Sequence, residues 1–153
     1  MQEITGLDIS RQLDDTLILD FIIGNTDRNY WNTGVIINPN GLYREAPIFD
    51  SGSSLGLQTF KEGQFSTLEL NNTEAKPFRC TYVEQIQLVK NRKYRLDITN
   101  TLKLLDTLYR EVSTSSNEYK IDNPITSGQY NYIRSRLQHS INYLVTNRSD
   151  LKQ

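Results

Sequence analysis

Asp27 and Asn32 stand five residues apart in the run Gly24-Asn25-Thr26-Asp27-Arg28-Asn29-Tyr30-Trp31-Asn32, and another carboxylate follows in Phe49-Asp50-Ser51-Gly52. An acid, an amide and an acid in this order suit metal-assisted phosphoryl transfer, which is largely positioning and charge neutralisation. One carboxylate must orient the attacking hydroxyl and accept its proton, and Asp27 fits that role. Magnesium prefers hard oxygen ligands and keeps several waters, so one carboxylate and one amide oxygen suffice from the protein. Asp50 and Asn32 could supply them.

The elements that must position these groups are readable from the pattern. From Asp8 to Ile23 the apolar residues Ile9, Leu13, Leu17 and Phe21 recur every four positions, as on one face of a helix. Asp8 or Ser10 could cap its start, and Gly24 and Asn25 stop it. Asp27 then lies on the loop just beyond, presented without being buried. Val35 to Asn38 is a short β-branched run, Pro39-Asn40-Gly41 is a turn, and Leu42 to Phe49 is a second extended run interrupted by Pro47. A hairpin brings its outer ends together, so the turn predicts that Asn32 and Asp50 are spatial neighbours. Gly52 would let the chain turn away from a metal held there.

Farther along, Ser51 to Lys76 is polar and aperiodic and reads as a long, partly ordered loop. Tyr82 to Lys90 reads as a short helix, and Asp97 to Val112 as a longer one carrying Ile98, Leu102, Leu105, Tyr109 and Val112. Ser113 to Gly128, which contains Pro124, reads as a connection. A last helix runs from Ser127 to Val145 with Tyr130, Ile133, Leu137, Ile141 and Leu144 on one face. The fold class expected is mainly α with one small β-hairpin, in a single domain.

Composition narrows the function classes. The 153 residues are 37% apolar and 23% charged, with nine Tyr, five Phe and one Trp, which suits an ordered globular chain. A net charge of −1 without single-sign blocks predicts no strong binding to a nucleic-acid backbone or an anionic membrane. Cys80 and His139 are each the sole residue of their type, which excludes an intrachain disulfide, a Cys-based zinc site and a two-histidine metal site. No apolar run approaches the roughly 18–20 residues of a membrane span. A polar N-terminus is unlike a signal peptide, and a cytoplasmic protein is expected.

The string Asn25-Thr26-Asp27-Arg28, then Asn32 and Gly34, then Pro47-Ile48-Phe49-Asp50, resembles the kinase domain of HipA-like proteins. These are bacterial serine/threonine kinases, several of them toxins of toxin–antitoxin pairs. The resemblance covers residues 13 to 56, with a more general similarity in Lys76-Pro77-Phe78 and the helical tail. It implies Asp27 as catalytic base, Asn32 and Asp50 as magnesium ligands, and ATP as phosphoryl donor. Arg28 is counted with Asp27 in the catalytic loop and read as the partner of a carboxylate. Asn25 is counted with Asn32 and Asp50 as cofactor-binding, its carboxamide suited to tying down the loop. Asn29 stands where the family carries His.

A kinase small lobe needs a strand sheet, a phosphate-covering loop and a lysine for the phosphates. No Gly-rich loop precedes Asp27, and Ser51-Gly52-Ser53-Ser54-Leu55-Gly56 follows the metal ligands instead. The chain therefore looks like a large lobe alone, with a small-lobe subunit, an antitoxin or another regulatory protein as candidate partners. The alternative is a non-catalytic binding module, and a weaker third reading is a phosphohydrolase-like metal site. Several residues carry plainer expectations. Tyr30 and Trp31 read as packing residues, His139 as solvated or capping, and Cys80 as a small apolar residue. Lys90, Arg92, Lys93 and Arg95 read as a solvated basic edge.

Overall fold

Gly24 decides where the first helix ends. Helix α1 spans Ser10–Ile23, and Gly24 closes it in the left-handed conformation (φ 69°), donating its N–H to the carbonyl of Asp20 at 2.8 Å. A Cβ there would also stand 2.1 Å from Cζ of Arg136, so the guanidinium would have to shift. At the other end, Ser10 N–H donates to Asp8 Oδ1 at 2.9 Å, while Ile9 occupies the cap position itself. The structure, a computed structural model, describes residues 6–56, 67–90, 97–119 and 125–151.

The buried face of α1 is not the stripe the sequence predicts. Leu17 and Phe21 are buried with Ile18, but Leu13 is exposed and Ile9 half-buried. Gln12, Asp14, Thr16 and Asp20 point inward instead. Each has a polar task there. Gln12 Nε2 donates to the carbonyl of Ala46, Thr16 Oγ1 to the carbonyl of Gln12 at 2.8 Å, and Asp14 Oδ2 accepts from Lys90 N–H at 3.3 Å. A helix whose inner face carries hydrogen-bonding groups is rotated away from its purely apolar stripe.

Strands β1 (Val35–Ile37) and β2 (Tyr43–Glu45) pair antiparallel in the register Val35↔Glu45, Ile36↔Arg44, Ile37↔Tyr43. The turn is built on Asn38, whose Oδ1 accepts the N–H groups of Asn40 and Leu42 at 3.0 and 2.9 Å, with Gly41 at φ 75°. Ala46 N–H to Gly34 C=O (3.0 Å) carries the pairing one step outward. The second strand stops short of the predicted Phe49 because Pro47 has no N–H to give to a ladder.

The segment read as a long loop carries more order than expected. Helix α2 (Thr67–Asn72) lies within it, followed by β3 (Glu74–Ala75), which pairs antiparallel with β4 (Cys80–Thr81). The remainder, 57–66, lies outside the described residues. Among the described residues two small antiparallel pairs therefore occur where one hairpin was expected. A two-turn helix anchored by one fully buried leucine, Leu70, is too short to leave a period in the sequence.

Helix α3 (Tyr82–Ile86) starts at a capping box. Glu84 N–H donates to Thr81 Oγ1 at 3.2 Å, and Thr81 N–H donates to Glu84 Oε2 at 2.8 Å. It ends before the predicted Lys90, and the guanidinium of Arg148 donates to the carbonyl of Ile86 at its last residue and, at 2.7 Å, to that of Val89 in the segment beyond. Helix α4 spans Ile98–Tyr119 and α5 spans Ser127–Asn147. Residues 113–119, read as the start of a connection, continue α4. Ser and Thr are middling helix formers rather than breakers, and Thr114 returns its hydroxyl to the carbonyl of Arg110 at 2.9 Å. Helices α4 and α5 meet through Tyr109 stacked on Tyr130 with ring centres 4.2 Å apart.

The core collects Leu17, Ile18 and Phe21 of α1, Leu70, Ala75, then Tyr82, Ile86 and Val89, with Tyr132 and Leu144 of α5. Tyr132 donates its hydroxyl to Glu69 Oε2 at 2.8 Å, tying α5 to α2. Among the described residues no helix is long and apolar enough to cross a membrane.

Two outcomes test this packing. Ile86 is fully buried, so Ile86→Ala is expected to cost about 2–5 kcal/mol in urea unfolding. Burial, then the hydrogen bond to Glu69, pushes the Tyr132 hydroxyl up from 10.0 to about 12. The neutral phenol is thus favoured by the fold, and its contribution is full below pH 10 and lost as pH rises through about 12. Tyr132→Phe should flatten that alkaline loss in a stability-versus-pH series.

Candidate functional site

The loop after α1 is held by one carboxylate. Asp20 Oδ1 accepts from Arg28 Nη2 at 2.7 Å and from Asn25 Nδ2 at 3.1 Å, and Oδ2 accepts from Arg28 Nε at 2.8 Å. The fork-to-fork geometry is the one guanidinium and carboxylate satisfy best. Arg28 is 2% exposed and Asp20 4%. The hydrogen bonds to Asp20 push the Arg28 pKa further up, so the cation stays charged despite its burial. Its remaining N–H groups cross to the far end of the hairpin, donating to the carbonyl of Phe49 and to Ser51 Oγ at 3.2 Å. Arg28 thereby fastens both halves of the site. It acts as a positioning residue, in keeping with the carboxylate partner expected of it, and its burial keeps it away from any bound substrate.

Asn25 is likewise buried, at 1% exposure, and its Oδ1 accepts the N–H of Asp27 at 3.2 Å. It ties down the loop, and its carboxamide is committed to Asp20 and Asp27 rather than offered to a cofactor. Asp27 itself is exposed. Its backbone forms an isolated parallel bridge with Lys76, whose N–H donates to Thr26 C=O at 3.1 Å. The ammonium of Lys76 lies 2.5 Å from Asp27 Oδ1, with the two side chains 44% and 51% exposed. Asn29, in place of the family's His, donates Nδ2 to the carbonyl of Asp27 at 3.3 Å.

Asn32 and Asp50 meet as the hairpin predicts: Asn32 Nδ2 donates to Asp50 Oδ2 at 2.7 Å. Asn32 ends a 3-10 turn, Tyr30–Asn32, and Asp50 takes a left-handed backbone (φ 56°), a conformation Asp tolerates better than most residues. The sharp turn expected of Gly52 is made at Asp50, while Gly52 has no left-handed φ. Tyr30 and Trp31, read as packing residues, are instead 71% and 90% exposed. Successive side chains of a 3-10 turn diverge by about 120°, so directing Asn32 at Asp50 turns its two predecessors elsewhere.

The donor set fits magnesium. Among the described residues no group of three or more His, Cys, Asp or Glu could form a protein-only cage. An amide and a carboxylate already in contact match an ion that retains waters and takes phosphate oxygens. To ligate, Asn32 would turn its amide over and present Oδ1.

Other candidates fall outside the site. His139 on α5 donates Nδ1–H to the carbonyl of Ser135 at 2.7 Å. Cys80 is half-buried, and desolvation, followed by the charges of Glu84 and Glu74, pushes its thiol up. Lys90 is exposed, while Arg92, Lys93 and Arg95 lie outside the described residues.

Sequence reasoning missed two residues of this site. Asp20 could have been noticed as an acid flanked by Leu17, Ile18 and Phe21, eight residues before an arginine. Lys76 was noted only within the similarity of Lys76-Pro77-Phe78, and its place beside Asp27 was not, because the two stand 49 residues apart. Compared with protein-family models, with curated proteins and with solved structures, the chain gives no match.

Removing one member of a buried pair strands the other. Arg28→Ala and Asp20→Ala are therefore each expected to cost about 3–5 kcal/mol in urea unfolding. Asp27→Asn, at an exposed ion pair, should cost no more than about 1 kcal/mol. Equal costs at the two positions would show that Arg28 does not anchor the loop.

Proposed function

We propose that this chain is the large lobe of a kinase resembling the HipA-like family, whose parent activity is transfer of the γ-phosphoryl group of ATP to a Ser or Thr hydroxyl, and that the lobe alone is incomplete and turns over little or not at all. The observation that carries the reading is the contact of Asn32 with Asp50, on a scaffold whose Arg28 also fixes the Asp27 loop. Asp27 orients the acceptor hydroxyl and takes its proton. The hydroxyl oxygen bonds to the γ-phosphorus as the bond to the β,γ-bridging oxygen breaks, and ADP leaves with the electron pair. Magnesium would be held by Asn32 and Asp50 and would supply neutralisation of the phosphate charge. Clamping of the nucleotide falls to a small lobe outside these 153 residues, in the same polypeptide or a partner subunit.

A second reading is favoured by Trp31, Tyr30 and Phe49, exposed beside the three polar groups (90%, 71% and 45%). In it the same surface docks a partner such as an antitoxin and performs no transfer.

Calorimetric titration of magnesium-ATP into the chain separates the two. The kinase reading expects measurable binding at millimolar nucleotide, abolished by Asp50→Asn, which keeps the left-handed backbone and removes the charge. Asp27→Ala should leave that binding within about threefold, since a general base adds nothing to ground-state affinity. Absence of binding in the unaltered chain leaves a large lobe that needs its small-lobe partner to hold nucleotide, or the docking module.

A further inference from the structure

We propose that Lys76 is a further catalytic residue of this site, a cation that passes from Asp27 to the γ-phosphoryl oxygens of bound ATP. The inference rests on the kinase reading above, and it is carried by how the fold holds this lysine.

Lys76 is delivered by the end of β3 and is not a chance surface neighbour of Asp27. Its backbone N–H is bonded to Thr26 C=O at 3.1 Å, and its strand bridges Asp27 itself. The residue before it, Ala75, is buried, and its carbonyl accepts from Gln85 Nε2 at 2.7 Å. The backbone is therefore fixed at the base residue while the side chain remains free to swing. The ion pair it makes is half-exposed, and pairs of that kind contribute little to stability. The fold does not need it.

An incoming γ-phosphate does. The nucleotide brings several negative charges to a surface that already carries Asp27 and Asp50. The nearby guanidinium of Arg28 cannot answer them, since it is buried and engaged by Asp20, Phe49 and Ser51. An ammonium on a flexible four-carbon stem is suited to follow the charge. On Asp27 it holds the carboxylate in place. On the γ-phosphoryl oxygens it neutralises charge where the acceptor oxygen attacks, releasing Asp27 to receive the hydroxyl proton.

The distinguishing measurement is the preference for a non-hydrolysable ATP analogue over ADP, both with magnesium, by calorimetry on the full chain, Lys76→Met and Lys76→Arg. The unaltered chain is expected to favour the triphosphate. Lys76→Met should erase about tenfold of that preference while ADP affinity holds, and Lys76→Arg should restore most of it. A preference unchanged in Lys76→Met overturns the assignment of Lys76 and leaves the kinase reading standing. No binding of either nucleotide to the unaltered chain overturns Lys76 as a nucleotide contact of this lobe by itself, and leaves a large lobe that needs its partner or the docking module. A thermal unfolding midpoint unchanged by Lys76→Met would confirm that the loss is local.

Discussion

The buried pair between Arg28 and Asp20 is the constraint on which the rest of the site depends. A guanidinium and a carboxylate removed from water must satisfy nearly all their hydrogen-bonding capacity or forfeit several kcal/mol. Arg28 meets that demand by reaching in two directions, to Asp20 on α1 and to Phe49 and Ser51 beyond the hairpin. Because neither reach can be surrendered cheaply, the loop carrying Asp27 and the segment carrying Asp50 cannot drift apart. Asp20 completes the junction by accepting at its backbone carbonyl the N–H groups of Gly24 and Asn25.

This explains the polar inner face of α1. An apolar helix would bury more hydrocarbon, yet it could not hold the hairpin's far end or the loop after its own terminus. Gln12 reaches Ala46 just past β2, Asp14 reaches Lys90 after α3, and Asp20 reaches Arg28. The helix gives up apolar area and gains three tethers to the segments around it. Its apolar remainder, Leu17, Ile18 and Phe21, still meets Tyr82, Ile86 and Leu144 in the core. Gly24 lets the guanidinium of Arg136 pass close to the chain where α1 ends, so the helix terminus and α5 fit together at a position without a Cβ.

The residues divide by exposure into a buried frame and an exposed working set. Asp20, Asn25 and Arg28 are almost wholly buried, whereas Asp27, Asn32, Asp50 and Lys76 are within reach of solvent. Preorganisation of this kind is what the proposed phosphoryl transfer would require, since positioned charge supplies most of its acceleration. Asp50 adds a local device of its own. Its left-handed backbone bends the chain at the carboxylate, so one residue makes the turn and presents its side chain to Asn32.

The sequence alone was enough for the long helices and the first turn. Helices α1 and α5 followed from the spacing of their apolar residues, and the end of α1 from Gly24. The first hairpin followed from Pro39-Asn40-Gly41, and with it the meeting of Asn32 and Asp50, because hairpin geometry converts sequence order into proximity. Helix α2 and the β3–β4 pair were invisible, since elements of two to six residues carry no period and exist only because Leu70 and Ala75 find a core. The inward turn of Gln12, Asp14 and Asp20 was hidden because their partners lie on other elements. The exposure of Tyr30 and Trp31 was hidden because aromatic residues are normally counted toward a core. Only tertiary structure could bring Lys76 to Asp27 across 49 residues, for no rule of spacing relates two side chains whose meeting is fixed by the packing between them.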